Sequence, residues 1–395
     1  MSEPPHTIHR LVVKVGSSVL TDERGRLLPE RIGQLAQQVA SCAAANRQPI
    51  VVSSGAIACG MSSLGLAARP KPLAQLQACA AIGQGELMRL YTQAFGGRGV
   101  LTAQVLLTQE DLSDRARFRN AKQTLLTLLH RRVVPIVNEN DTVAVEEITF
   151  GDNDRLAALV AVAVDAQLLV ALSDVDGVLQ DGKVLERVDL STQGDSPAWR
   201  GRWRADASQR GAAPGERVLD HGGKRQTTKG GMSSKLDAAR IAGHSGIPMV
   251  IANGTRPGVL EDVLAGKPVG TLCVPPRTRL ASRKWWIAFS LRQPKGTLVV
   301  DAGAAEALLE KGKSLLASGV QNVQGEFGAG EFVTLTDGAG HELARGVCNF
   351  SSSELARVRG MKSAEIAKVL GRTRVPEVVH RDDLVLARDY RAGRR

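Results

Sequence analysis

LVVKVGSSVL, residues 11–20, places a lysine inside an aliphatic run that ends in a turn of small residues. The run is short, rich in β-branched residues and bounded by Gly16, which predicts a buried strand of a parallel sheet. Lys14 lies near the carboxyl end of this strand, where open α/β sheets bind their ligands. A buried cation requires an anionic partner, so we expect one for Lys14. The alternative is an edge strand whose lysine points into water.

Strand-like runs alternate with longer helical patterns over the first two-thirds of the chain. The predicted strands cover residues 11–15, 49–54, 100–107, 133–140, 167–175 and 247–255. The predicted helices cover residues 29–45, 73–95, 117–131, 153–164 and 233–246. This alternation is typical of βαβ units, so it predicts an α/β fold, a three-layer α/β/α sandwich with a mainly parallel sheet.

Changes in composition divide the rest of the chain. A polar segment at about 189–228 lacks apolar periodicity, which is typical of a functional lid or an insertion. Prolines and clustered charge predict a linker at 276–295, after a first domain at 8–275. Short strands and glycine turns at 296–372 predict a small, β-barrel-like C-terminal domain. We expect residues 373–395 to form a basic tail, whose last residues, RDYRAGRR, are most simply solvated.

The amino-acid composition limits the classes of protein to which this chain can belong. The formal charge of +11 favours anionic partners without choosing among nucleotide, nucleic acid and acidic metabolite. Five scattered cysteines without a CxxC pair, and histidines without ligand spacing, argue against a zinc site and favour a reducing cytoplasm. No signal peptide or membrane-spanning run is apparent, so we expect a soluble, cytoplasmic protein. P-loop and GxGxxG motifs are also missing from the sequence.

Small or acidic residues directly follow four of the predicted strands. These turns are KVGSS (14–18), SSGAIACG (53–60), NENDTV (138–143) and SDVDG (173–177), and KGGMSSK (229–235) opens a helix. Because carboxyl ends of parallel strands meet at one edge, we expect the turns to converge on one crevice. Glycine–serine turns at helix N-termini present N–H groups to anions. Lys14 and Lys235 could then neutralise one transferring phosphoryl group.

The NENDTV turn and the GDND segment (151–154) add amide and carboxylate side chains. The residues are Asn138, Asn140, Asp141, Asp152, Asn153 and Asp154. They could recognise an ammonium group and a carboxylate, or they could simply form turns and helix caps, with Asp152 as an N-cap. A carboxylate acceptor is already ionised at neutral pH and needs no general base. A site with lysines and no histidine therefore suits carboxylate phosphorylation, which gives an acyl phosphate.

Six motifs in order resemble the glutamate 5-kinases of the amino-acid-kinase superfamily. They are VVKVGSSVL, VVSSGAIACG, PIVNENDTV, FGDNDRLAALVA, LLVALSDVDGVL and KGGMSSKLDAARIA. Residues 296–372 resemble a PUA domain, a small RNA-associated β domain. The resemblance implies a cytoplasmic enzyme of proline biosynthesis that uses ATP and Mg²⁺ to phosphorylate the γ-carboxylate of L-glutamate, giving L-glutamyl 5-phosphate. It also implies inhibition by proline, a homo-oligomer (dimer or tetramer) and an RNA contact at the PUA domain.

The resemblance implies roles for the residues at matching motif positions. Lys14 and Lys235 would stabilise the transferring phosphoryl group, and Asp154 would organise the lysines and the metal–nucleotide complex. Glutamate would be held by Ser54, Gly55, Asn138, Asp141 and Asn153. ATP would be held by Lys14, Gly16, Ser17, Ser173, Asp174, Lys229, Gly230, Gly231, Met232, Ser233, Ser234 and Lys235. No residue of the chain is assigned as a dedicated metal ligand.

The chain departs from the family pattern at three positions. Ser173 replaces the usual threonine and keeps the hydroxyl, Leu179 stands where a tyrosine is usual, and Lys229 stands where a threonine is usual. Lys229 could contact a phosphate or point to solvent. We expect the polar insert at 189–228 to form a mobile cover over the nucleotide.

Two other classes of protein fit parts of the sequence. One is another amino-acid kinase, of the acetylglutamate kinase or aspartokinase type; the PUA-like segment and the NEND and GDND pair argue against it. The other is an RNA-binding protein with an inactive kinase-like domain, which the charge of +11 fits as well as it fits a working enzyme.

Overall fold

The computed structural model describes residues 8–22, 25–144, 152–190, 231–276, 284, 287–288, 294–371 and 377–390. The described residues fall into two compact units, one up to Pro276 and the other from Lys284 onward. Each unit has its own hydrophobic core. In the described part of the chain, no helix combines the length and the apolar character needed to cross a lipid bilayer.

The first unit is built from alternating strands and helices. Its strands are β1 (Arg10–Val15), β2 (Gln48–Val52), β3 (Thr102–Leu107), β4 (Val134–Glu139), β5 (Leu168–Ser173), β6 (Leu179–Gln180), β7 (Lys183–Val184), β8 (Arg187–Asp189), β9 (Met249–Asn253) and β10 (Thr271–Val274). Its helices are α1 (Ser17–Leu20), α2 (Pro29–Ala44), α3 (Ala56–Ser63), α4 (Leu73–Gly96), α5 (Gln109–Ser113), α6 (Arg115–His130), α7 (Asp152–Ala163), α8 (Met232–Gly243) and α9 (Val259–Leu264).

Eight of these strands form one sheet in the order β3-β4-β2-β1-β5-β9-β10-β8. Strands β1 to β5 and β9 pair in parallel, and the β9–β10 pair is antiparallel. Strand β1 lies in the interior of the sheet, between β2 and β5. Lys14 is therefore on a central strand, and the edge-strand alternative is wrong.

Helices cover both faces of this sheet. Leu11, Val13 and Val15 share one core cluster with apolar residues of α2 and α4. Since successive residues of a strand point to opposite faces, Val12 and Lys14 belong to the other face. Lys14 contacts Asp154 of α7 there. This arrangement of helix, sheet and helix is the three-layer α/β sandwich that the alternating pattern predicts.

The short elements of this unit were harder to predict than the long ones. The six predicted strands and five predicted helices correspond to β1–β5, β9, α2, α4, α6, α7 and α8. Helix α3, which begins directly after the 53–55 turn, and the antiparallel strand β10 are not among the predicted elements. Strand β8 ends at Asp189, and the rest of the polar insert, from residue 191, lies outside the described residues until Gly231.

The second unit is a five-stranded sheet with short helices. Its strands are β11 (Gly296–Val300), β12 (Val320–Gly325), β13 (Phe332–Thr336), β14 (Glu342–Val347) and β15 (Leu384–Leu386), in the order β12-β11-β13-β14-β15. Its helices are α10 (Ala302–Leu309), α11 (Ser352–Val358), α12 (Ser363–Leu370) and α13 (Ala387–Tyr390). Phe350, Leu355 and Val358 are fully buried in its core.

Two segments outside the predicted boundaries contribute to this second unit. Ile287 and Ala288, from the predicted linker, pack with Phe332 and Val385. Strand β15, from the predicted basic tail, pairs with β14. Part of the predicted basic tail at 373–395 therefore belongs to the second unit, and a three-residue apolar run among charges is too short to predict a strand.

Candidate active site

Lys14 reaches the edge of the sheet where the carboxyl ends of the parallel strands meet. Its strand is followed at once by Gly16, whose amide N–H donates to the Leu172 carbonyl of β5 over 3.0 Å. A Cβ atom built on Gly16 would lie 3.8 Å from the Lys14 Nζ. The lysine ammonium group therefore lies over the glycine turn, where a larger residue would compete with any ligand for space.

A buried ion cluster joins three elements at this edge. The Lys14 Nζ lies 2.7 Å from the Asp154 Oδ1, and the Lys235 Nζ lies 3.4 Å from the Asp154 Oδ2. The side chains of Lys14, Lys235 and Asp154 are 8%, 7% and 1% exposed. The Ser234 hydroxyl also donates to the Asp154 Oδ2, over 2.7 Å. Two cations and one anion give the cluster a net charge of +1.

The cluster shifts the pKa values of its members. Burial lowers the pKa of the Lys14 ammonium group, and the neighbouring Asp154 carboxylate offsets only part of that shift. For Asp154, burial acts to raise the pKa, but the Lys14 and Lys235 ammonium groups outweigh it and hold that pKa below its ordinary value. The carboxylate is therefore ionised at neutral pH. Its position in the first turn of α7 adds the favourable helix dipole.

Groups suited to a polyphosphate surround the cluster. Helix α8 begins after Gly231, and no side chain of a described residue caps it; such a helix N-terminus favours an anion, here beside Ser234 and Lys235. The Ser173 hydroxyl donates to the Asp174 carboxylate over 3.2 Å at the end of β5, next to β1. The charge of Asp174 acts on Lys14.

The other residues predicted to bind the nucleotide differ in their position and exposure. Gly16, Ser17, Ser173 and Asp174 share the edge with Lys14 because β1 and β5 are neighbours. Ser233 is exposed, whereas the Met232 side chain is buried in the protein. Lys229 and Gly230 lie outside the described residues.

Three predicted acceptor residues form one hydrogen-bonded chain. The Asn153 Nδ2 donates to the Ser54 Oγ over 2.9 Å and lies 3.4 Å from the Asn138 Oδ1. Ser54 follows β2 and Asn138 belongs to β4, which are neighbouring strands. Gly55, with a φ of 111°, makes the left-handed turn into α3. Asp141 lies further along the loop after β4, where it attracts the guanidinium group of Arg69.

Helix α4 supplies contacts that were not predicted from the sequence. The Tyr91 hydroxyl lies 2.8 Å from the Ser53 Oγ, and both residues are fully buried. The Gln84 Oε1 accepts from the Asn138 Nδ2 over 2.8 Å. Gln84 and Tyr91 are seven residues apart and thus share one face of the helix. That spacing was the available signal, but polar residues on a long helix more often face solvent.

These donor groups fit a magnesium nucleotide. Two ammonium groups, a hydroxyl and an uncapped helix N-terminus match the anionic oxygens of a triphosphate. Among the described residues, no group of three or more acidic, histidine or cysteine side chains is arranged to hold a metal ion. Mg²⁺ commonly binds through substrate phosphates with one or two carboxylates. Asp154 and Asp174 are two carboxylates at this edge that could serve.

Comparison with known proteins identifies the family of this chain. Residues 9–253 match the model of the amino acid kinase family, and residues 296–370 match the model of the PUA domain. The chain therefore belongs to the amino acid kinase family. A solved UMP kinase from Bacillus anthracis overlaps it with a TM-score of 0.42 and 13% identity, covering 68% of this chain and 96% of that one.

Curated relatives extend the likeness over nearly the full chain. A glutamate 5-kinase from Thermus thermophilus is 47% identical, over 97% of this chain and 98% of its own. One from Caldanaerobacter subterraneus subsp. tengcongensis is 44% identical, over 95% and 97%. Identity of this extent places the chain among the glutamate 5-kinases of that family.

Proposed function

We propose that this protein uses ATP to phosphorylate the γ-carboxylate of L-glutamate, giving L-glutamyl 5-phosphate and ADP, the first step of proline biosynthesis. The observation that carries the proposal is the buried cluster of Lys14, Asp154 and Lys235 at the carboxyl edge of the sheet. The relatives at 44–47% identity support the choice of glutamate as the acceptor.

The reaction moves one phosphoryl group between two anions. A γ-carboxylate oxygen of glutamate attacks the γ-phosphorus of ATP, and the bond from that phosphorus to the bridging oxygen breaks, so that ADP leaves with the electron pair. The carboxylate is ionised at neutral pH, and no proton has to be removed. Catalysis then consists of positioning the reactants and stabilising the charge on the phosphoryl oxygens.

Each member of the cluster has a separate part in this step. Lys14 and Lys235 stabilise the phosphoryl oxygens in the transition state, because both ammonium groups sit in a buried, weakly screened site. Asp154 acts as a positioning residue that holds both lysines. Mg²⁺, when bound with the nucleotide, neutralises phosphate charge. Ser54, Asn138 and Asn153, which are hydrogen-bonded to one another beside the cluster, bind glutamate.

The test is an assay with ATP, Mg²⁺ and L-glutamate in which hydroxylamine traps the acyl phosphate as a hydroxamate. Wild type should form the hydroxamate, and Lys14→Ala and Lys235→Ala should each remove the signal. Lys122→Ala is the matched control, because Lys122 forms a 2.7 Å ion pair with Asp165 at the surface, away from the cluster. It should keep wild-type activity.

The same assay separates the alternatives. Product from N-acetylglutamate or aspartate, with none from glutamate, would overturn the choice of acceptor. Salt-dependent RNA binding without any ATP consumption would instead favour the RNA-binding protein with an inactive kinase-like unit.

Several properties remain predictions that accompany this proposal. Inhibition by proline at the glutamate site, a dimeric or tetrameric assembly and an RNA contact at the PUA domain belong to this group, as does the expected cover formed by the polar insert. A cytoplasmic location is supported by five free cysteines, all of them buried.

A further inference from the structure

Four polar side chains from four elements form a continuous chain of hydrogen bonds beside the ion cluster. Asn153 of α7 donates to the Ser54 hydroxyl and points the same amide at the Asn138 Oδ1. The Asn138 Nδ2 donates in turn to the Gln84 Oε1 of α4. Each donation fixes the orientation of the next amide, so the chain has a direction.

The two ends of this chain carry buried polar atoms that no described residue satisfies. One is the Gln84 Nε2, a donor, and the other is the Asn153 Oδ1, an acceptor. Buried polar atoms almost always have partners, so each of these two atoms calls for a partner from outside the described residues, such as a water molecule or a ligand. The remaining atoms of the three amides are engaged with one another or with Ser54.

The free donor and the free acceptor of these uncharged, hydrogen-bonded side chains are complementary to the carboxylate and the ammonium group of an α-amino acid. A carboxylate accepts from an amide N–H, and an ammonium group donates to an amide oxygen. Asn153 is next to Asp154 in α7, so one end of this series of hydrogen bonds lies beside the ion cluster, and the other end is at Gln84 of α4. An acceptor whose γ-carboxylate meets the lysines would extend its α-carbon end along this chain.

We propose that Gln84 is a further acceptor-binding residue, whose Nε2 donates to the α-carboxylate of the substrate while Asn153 accepts from the α-ammonium group. The proposal rests on the proposed function. It assigns α4 a direct part in selecting a free α-amino acid. Gly83 allows this placement, because a Cβ there would lie 1.9 Å from the Ala56 carbonyl oxygen of α3. The helix can therefore approach the loop that carries Ser54.

The test compares L-glutamate with its α-amide, isoglutamine, as acceptors for wild type and Gln84→Glu. The substitution keeps an oxygen acceptor for Asn138 and replaces the donor by a carboxylate oxygen. This oxygen repels the α-carboxylate of glutamate but can accept from the amide of isoglutamine. We expect the KM for glutamate to rise at least about tenfold, the KM for ATP to stay within twofold, and the preference for glutamate over isoglutamine to shrink at least about tenfold.

Matched controls keep the outcomes distinct. Gln93→Glu introduces the same charge on the exposed side of α4, where Arg89 contacts Gln93, and should leave both substrates unaffected. If Gln84→Glu fails to fold, Gln84→Met should still raise the KM for glutamate more than that for isoglutamine. An equal loss with both acceptors, or an unchanged KM for glutamate, would overturn the role of Gln84. Absence of product from glutamate with wild type would overturn the proposed function itself.

Discussion

Replacing Asp154 by asparagine keeps the size of the side chain but removes the negative charge between two lysines. At an effective dielectric constant of about 20, the separations of 2.7 and 3.4 Å correspond to gross attractions of about 6 and about 5 kcal/mol. Desolvation of the three groups offsets much of this attraction. Removing one partner of a buried pair nevertheless leaves uncompensated charge, which lowers the free energy of unfolding by about 3–5 kcal/mol.

The assay is urea unfolding followed by circular dichroism, with Asp165→Asn as the control. Asp165 pairs with Lys122 at the same 2.7 Å, but those side chains are 73% and 33% exposed. An exposed pair contributes about 0–1 kcal/mol, so Asp165→Asn should leave the free energy of unfolding almost unchanged. Hydroxamate formation by Asp154→Asn should also fall about 100-fold, because the lysines lose their positioning residue. If Asp154→Asn and Asp165→Asn each lowered the free energy of unfolding by the same amount, below about 1 kcal/mol, the reasoning would be refuted.

The pH dependence of this effect has a definite sign. The folded protein holds the pKa of Asp154 below its ordinary value, so the ionised carboxylate stabilises the folded state fully above the unfolded pKa of about 3.9. The stabilisation is lost as the pH falls through the lower, folded pKa. The difference in the free energy of unfolding between wild type and Asp154→Asn should therefore be constant near neutrality. It should decrease towards zero below about pH 4.

Two further predictions concern helix α4. Gly83→Ala should destabilise the protein by about 1–3 kcal/mol, because its Cβ would meet the Ala56 carbonyl oxygen at 1.9 Å. Gly85→Ala is the control, because a Cβ atom at Gly85 would have no neighbouring atom within 4 Å, and it should be neutral or stabilising by up to about 1 kcal/mol. Equal melting temperatures for the Gly83→Ala and Gly85→Ala variants would contradict the close packing of α3 and α4. Tyr91→Phe should remove the contact to Ser53, destabilise by about 1 kcal/mol and raise the KM for glutamate but not for ATP. If steady-state kinetics of Tyr91→Phe showed an unchanged KM for glutamate, the role of Tyr91 would be structural only.

The long elements and the position of Lys14 could be predicted from the sequence. Alternating apolar runs indicate a parallel sheet, and polar turns after its strands indicate one ligand-binding edge. The structure brings Lys14 and Lys235 onto one carboxylate, as expected for residues that serve a single crevice. Their catalytic roles remain a prediction.

Other features depended on tertiary contacts that no local pattern records. Gln84 and Tyr91 belong to an amphipathic helix, and nothing in its periodicity distinguishes a buried polar contact from a solvated one. Strand β15 is only three residues long and is stabilised by pairing with β14. Short elements of this kind acquire their stability from partners distant in the chain, and local propensity is then a weak guide.

The spacing of the ion cluster along the chain has a consequence for synthesis on the ribosome. Lys14 and Asp154 emerge first and can form a pair of zero net charge. Lys235 follows 81 positions after Asp154 and changes that pair into a group of net charge +1. Among the three residues of the cluster, the cationic excess therefore depends on α8, and a nascent chain that stops short of α8 would keep only the neutral Lys14–Asp154 pair.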